Sequence, residues 1–76
     1  MEKEILDILS ELKPGEDFTG NDSFVDEELL DSFDIVSLIS ILEEKYGIEI
    51  DGLDIIPENF QSIDAIISLI NRSKKA

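Results

Sequence analysis

At 76 residues and a formal charge of −13, from 6 Lys and Arg against 19 Asp and Glu, the chain has room for one core under a strongly anionic surface. It contains no cysteine and no histidine, which excludes disulfides, Cys-ligated zinc, iron–sulfur clusters and thiol catalysis, and removes the usual general base near neutral pH. The charge also excludes phosphate-backbone and anionic-membrane binding, so the expected partners are basic proteins whose encounter is faster at low salt.

In chain order, residues 2 to 12 are predicted to form an amphipathic helix. Ile5, Ile8, Leu9 and Leu12 recur at helical spacing, and Pro14-Gly15 supplies the stop. Lys13 to Leu30 shows no sustained period. Gly20-Asn21 marks a turn there, and Phe18, Phe24, Val25, Leu29 and Leu30 are spaced to pin a long loop onto the core.

Residues 32 to 46 give the clearest helix, with Ile35, Leu38, Ile39, Leu42 and Tyr46 as one stripe and Gly47 as the C-terminal stop. Ile48-Glu49-Ile50-Asp51 alternates like a strand but has no obvious pairing partner, so an extended linker is expected. Pro57 to Phe60 reads as one short helical turn with proline at an early position. Ser62 can then cap a last helix whose core face is Ile63, Ile66, Ile67 and Ile70. Asp64 at its start and Arg72, Lys74 and Lys75 at its end match the helix dipole.

The expected fold is all-α. It is a small four-helix bundle, three main helices plus one short helix, with a long first loop, and residues 1–76 form a single domain. The start, Met1-Glu2-Lys3-Glu4, is unlike a signal peptide, and no apolar run approaches the roughly 20 residues that cross a bilayer. No stable membrane insertion and no nucleic-acid partner are expected. The missing cysteine fits a reducing compartment, and the expected location is cytoplasmic.

Every acidic or basic side chain between Lys13 and Lys45 is a carboxylate, and Leu30-Asp31-Ser32-Phe33-Asp34 places one serine among them at the start of the clearest helix. Most serines at such a position cap the helix. Here Asp31 can cap instead, with Asp34 three residues on imitating the capping-box spacing. Ser32 then becomes the first helical residue, and the backbone does not require its hydroxyl. A phosphoester there would face the positive end of the helix dipole, opposed in part by Asp31 and Asp34. Local physics permits the modification without demanding it.

At about 100° per residue, Phe33, Val36, Ser37, Ser40, Ile41 and Glu44 point away from the core stripe. Apolar side chains beside acids on an outer face suit a docking surface, although the long loop or the short helical turn could instead cover Val36 and Ile41.

With these residues in place, the chain resembles the acyl carrier protein family, whose small four-helix carriers include peptidyl and D-alanyl carrier proteins. The resemblance runs through Asp31-Ser32, Leu38, and Leu42-Glu43-Glu44-Lys45-Tyr46-Gly47-Ile48-Glu49-Ile50 to the last helix. It implies 4′-phosphopantetheine on Ser32, transferred from coenzyme A by a separate magnesium-using phosphopantetheinyl transferase. It also implies a cargo held as a thioester, and no catalysis by the protein itself. Asp31 and Asp34 match the acids around the modified serine, and Val36, Glu43 and Glu44 match the partner-facing helix.

Phe33 departs from the leucine or methionine usual after the serine, and Ser37 and Ser40 depart from positions that tend to be acidic and apolar in fatty-acid carriers. A specialised carrier is therefore expected, a monomer serving lipid, polyketide, nonribosomal-peptide or aminoacyl-transfer enzymes with basic surfaces. Ile35, Ile39, Ile55, Ile56, Ile63, Ile66 and Ile67 are read as core first, and second as an apolar interior that an acyl chain could enter.

Two other functions compete. An unmodified acidic adaptor accounts for the charge and the apolar face but gives Ser32 no role. A calcium loop over Asp17 to Glu28 has Asp22 where an EF-hand needs glycine, and no clear helix precedes it. No resident metal is expected. A serine nucleophile fails for want of a base.

Overall fold

The computed structural model of the protein describes residues 2–73. Three α-helices, α1 (Glu2–Leu12), α2 (Ser32–Tyr46) and α3 (Ile63–Ser73), carry the fold, and no strand occurs among the described residues. The short helical turn expected at Pro57 to Phe60 is present in 3₁₀ form, so the count of α-helices among the described residues is three. Pro57–Phe60 is a 3₁₀ turn of four residues, and a further 3₁₀ turn, unforeseen in the sequence, covers Gly52–Asp54. The Asp51 side chain accepts the Leu53 N–H at 2.9 Å and starts that earlier turn. Of the basic residues assigned to the end of the last helix, Lys74 and Lys75 lie outside the described residues.

Each α-helix follows from its apolar spacing. Ile5, Ile8 and Leu9 are the buried face of α1, and Ile35, Leu38, Ile39 and Leu42 that of α2. On α3 the face is centred on Ile66, Leu69 and Ile70, with Ile63 and Ile67 only partly buried, so the expected all-isoleucine stripe is rotated toward Leu69. Tyr46 lies at the edge of the core, its hydroxyl donating to Glu4 Oε2 at 3.4 Å and linking α2 to α1. Helix α1 packs on both α2 and α3, and α3 packs on the Pro57–Phe60 turn.

Residues 13 to 31 connect α1 to α2 and belong to the core. Phe18, Phe24 and Leu30 are buried, and the Phe18 and Phe24 rings meet edge to face with centroids 5.0 Å apart. The Cα radius of gyration is 11.3 Å, against roughly 11.4 Å for a compact chain of this length, so the loop is packed rather than trailing.

Backbone bonds explain how the loop holds its shape. Leu29 N–H donates to Phe24 O at 2.8 Å and Glu28 N–H to Val25 O at 3.0 Å, with Glu28 at φ 61°. This pair of bonds around a left-handed residue is the Schellman ending of a helical turn. Across the chain, Gln61 O accepts the Phe24 N–H at 2.9 Å, and Gln61 Oε1 accepts the Val25 and Asp26 N–H groups at 3.0 and 3.3 Å.

The Ile48 to Ile50 alternation is an extended segment with Ile48 and Ile50 buried and Glu49 exposed. It leaves α2 through Gly47, whose φ of 62° is the left-handed conformation that favours glycine at a helix end.

Candidate functional site: the start of helix α2

Helix α2 opens with a complete capping box. The Asp31 side chain accepts the Asp34 N–H at 2.9 Å, and Asp34 Oδ2 accepts the Asp31 N–H at 3.3 Å. Because Asp31 has the cap, Ser32 is the first helical residue, exposed, and its hydroxyl has no hydrogen-bond partner. Ser62, the other serine at a helix start, behaves differently: its Oγ accepts the Ala65 N–H at 3.0 Å and holds α3. Of the two, only Ser32 has a hydroxyl that the fold leaves unused.

The Asp34 N–H bond is the main reason the Asp31 carboxyl sits below its ordinary pKa, with further contributions from the Lys13 charge and the Phe33 amide. A carboxylate whose folded pKa is depressed adds stability above its unfolded pKa of about 3.9 and loses it as pH falls through the lowered value. Asp31→Asn keeps a capping oxygen but does not titrate. The thermal-midpoint difference between wild type and Asp31→Asn is therefore expected to shrink as pH falls from about 5 to about 2, and a pH-independent difference would contradict the cap assignment.

Two residues expected to meet partners also hold the fold together. Asp34 is only 8% exposed, and its Oδ2 lies 3.3 Å from Lys13 Nζ. Its carboxylate joins the end of α1 to the start of α2. Glu43 is half-buried, and its Oε2 accepts the Ile50 N–H at 3.0 Å, closing the extended segment against α2. In both cases the carboxylate is engaged by a group from another segment, which helical spacing does not reveal.

The remaining expected docking residues form an outer surface. Asp31, Phe33, Val36, Ser40, Ile41 and Glu44 are exposed, and Ser37 is half-buried. Phe33 is 78% and Val36 63% exposed, so neither the loop nor the 3₁₀ turns cover them.

Ile55 and Ile56, read as core in the sequence, are exposed by about two-fifths. With Ser32, Ile35, Val36, Pro57 and Phe60 they line a cleft of about 200 Å³ beside the serine. Apart from Ser32, every side chain of that lining is apolar. The exposed, unpartnered hydroxyl and the adjoining apolar cleft fit an esterified arm that ends in a hydrophobic cargo.

The Asp17 to Glu28 stretch is organised for turns. Asp17 accepts from the Thr19 backbone and hydroxyl, Asn21 Oδ1 accepts the Ser23 N–H at 2.6 Å, and Asn21 Nδ2 donates to Glu27 at 3.0 Å. Among the described residues no three of the His, Cys, Asp and Glu side chains converge as a metal site, and no helix is long and apolar enough to cross a membrane.

Sequence reasoning missed Lys13 and Gln61 as organisers of this region. Lys13 carried a signal, as the lone base between residues 4 and 44. Gln61 carried none.

Comparison with known proteins agrees with the geometry. Residues 3–70 match the family of the phosphopantetheine attachment site. The chain is 36% identical, over 77 aligned residues, to the acyl carrier protein of Buchnera aphidicola subsp. Schizaphis graminum (strain Sg), covering 99% of this chain and 95% of that protein. No solved structure matches significantly. The chain therefore belongs to the acyl carrier protein family, as a carrier that bears 4′-phosphopantetheine on a serine and catalyses nothing itself.

Proposed function

We propose that Ser32 is the attachment serine, and that the chain tethers acyl or aminoacyl groups as thioesters and delivers them, as a cytoplasmic monomer, to biosynthetic enzymes with basic surfaces. The observation that carries this reading is the division of labour at α2: Asp31 caps the helix, and Ser32 presents a hydroxyl without a partner. When bound, the group supplies a flexible arm ending in the thiol that the sequence lacks. Ser32 and the cleft residues Ile35, Val36, Ile55, Ile56, Pro57 and Phe60 would hold it.

The cleft sorts cargo by chemistry. A hydrocarbon acyl chain gains from entering it, roughly 25 cal/mol for each Å² of apolar surface removed from water. An aminoacyl ammonium would find no partner among those side chains and stays in solvent. The same serine thus serves both cargo classes, one partly sheltered and one presented outside.

Phosphopantetheinyl transferase and the later enzymes meet the surface of Phe33, Val36, Ser37, Ser40, Ile41 and Glu44, with Asp31 at its edge. The direct test is intact mass after incubation with coenzyme A, magnesium and a broad-specificity transferase, comparing wild type with Ser32→Ala. Partner recognition is tested separately. Glu44 is exposed and makes no hydrogen bond or ion pair among the described residues, so Glu44→Lys is expected to lower transferase kcat/KM on the order of threefold at low salt, with a shallower dependence on ionic strength. Identical salt profiles for the two proteins would remove Glu44 from the docking surface.

A further inference from the structure

We infer that Lys13 is the built-in counter-cation for the phosphodiester that modification places on Ser32, letting the start of α2 take a further negative charge without losing its cap. The inference rests on Ser32 as the attachment serine and adds a positioning residue to it.

Charge count comes first. Asp31 and Asp34 flank Ser32, and Lys13 is the one basic residue from position 4 to position 44. Its ammonium, 3.3 Å from Asp34 Oδ2, brings the cluster to a single net negative charge. A phosphodiester on Ser32 raises that to two, and without Lys13 it would be three within one helical turn. The helix dipole offers only about half a positive charge there, and Asp31 already accepts the Asp34 amide.

The placement of Lys13 suits the task. Its backbone N–H donates to Leu9 O at 2.8 Å, so the residue extends α1 and is held by that helix rather than by the loop. Its side chain is 32% exposed, which lessens screening by water compared with a fully solvated lysine. An ammonium has three donors, and among the described residues Asp34 is the one ion-pair partner of Lys13. Donors therefore remain for an anion on the neighbouring serine. The Lys13 charge also helps hold the Asp31 carboxyl below its ordinary range, after the larger effect of the Asp34 amide.

A plain strut between α1 and α2 would use the same ion pair, and the two roles separate when stability is compared before and after modification. Wild type, Lys13→Met, Lys13→Gln and Lys13→Arg are each prepared unmodified and exhaustively modified, with intact mass as the check and Ser32→Ala as the unmodifiable control. Thermal midpoints are read at low salt and at about 1 M salt, where the screening length falls to about 3 Å.

A strut lowers the midpoint of both forms of a variant equally. A counter-cation gives Lys13→Met and Lys13→Gln an additional drop on modification of about 3 °C at low salt, fading at high salt and rescued in Lys13→Arg. An equal change on modification in all four proteins overturns the inference, and so does an extra drop that salt leaves untouched. Because the inference leaves Ser32 accessible, a folded variant that resists modification also counts against it. If neither neutral variant folds, Lys13 is a strut and the inference fails. Wild type that gains no mass beyond Ser32→Ala removes the attachment reading, and the inference falls with it. A gain on wild type alone, followed by equal midpoint changes, overturns the inference only.

Discussion

Ser32→Ala is expected to abolish phosphopantetheinylation completely while moving stability by no more than about 0.5 kcal/mol, the usual range for surface substitutions. The wild-type mass should rise by one phosphopantetheine and the variant's not at all. The small structural cost follows from two facts: Ser32 is exposed, and its hydroxyl bonds to nothing in the fold.

Ser62→Ala makes the informative contrast. That hydroxyl holds the Ala65 N–H at 3.0 Å, so its loss should cost about 1 kcal/mol and leave the modification intact. The two serines are thus expected to exchange phenotypes, one chemical and one structural. Modification that persists in Ser32→Ala would overturn the site assignment, however well the rest of the fold agrees.

Phe24→Ala is expected to have the largest effect on stability. Truncating a buried phenylalanine typically costs about 3–5 kcal/mol, and a chain of this length has a total stability of about 4–11 kcal/mol by the usual per-residue range. Phe24 is fully buried and stacks edge to face on Phe18. Its carbonyl also accepts the Leu29 and Leu30 N–H groups just before Asp31. Losing the ring therefore unseats the loop as well as opening the core. Denaturant unfolding should show the midpoint moved far below that of wild type, and a midpoint close to wild type would mean that the loop is dispensable to the core.

The elements and caps legible in the sequence were those encoded locally. The spacing of Ile5, Ile8 and Leu9 and of Ile35, Leu38, Ile39 and Leu42 gave α1 and α2, and Asp31 and Asp34 gave the capping box, because each signal lies within eight residues or fewer of chain. The elements that escaped are closed by partners far along the chain. Asp34 looks like an exposed acid until Lys13, just past the end of α1, is placed 3.3 Å away. Glu43 looks like part of a docking face until the chain turns back to bring the Ile50 amide to it.

Ile55 and Ile56 line the cleft, the second of the two roles their sequence allowed, because apolar character alone cannot distinguish a core position from the lining of an open cleft. The Pro57–Phe60 segment was recognised as helical, but its four residues are too few to settle into α-helix rather than 3₁₀ form. Serine, cap and outer face could thus be named from sequence, whereas the ion pair and the cleft needed tertiary placement.

Gln61 has a consequence for synthesis. Residues 24 to 26 of a nascent chain emerge from the ribosome well before residue 61, and in the finished protein their amides bond to its carbonyl and side chain. Until that residue emerges, the turn leading into Ser32 lacks its anchor. The start of α2 therefore takes up its final setting only once Gln61 is free to reach the turn before it.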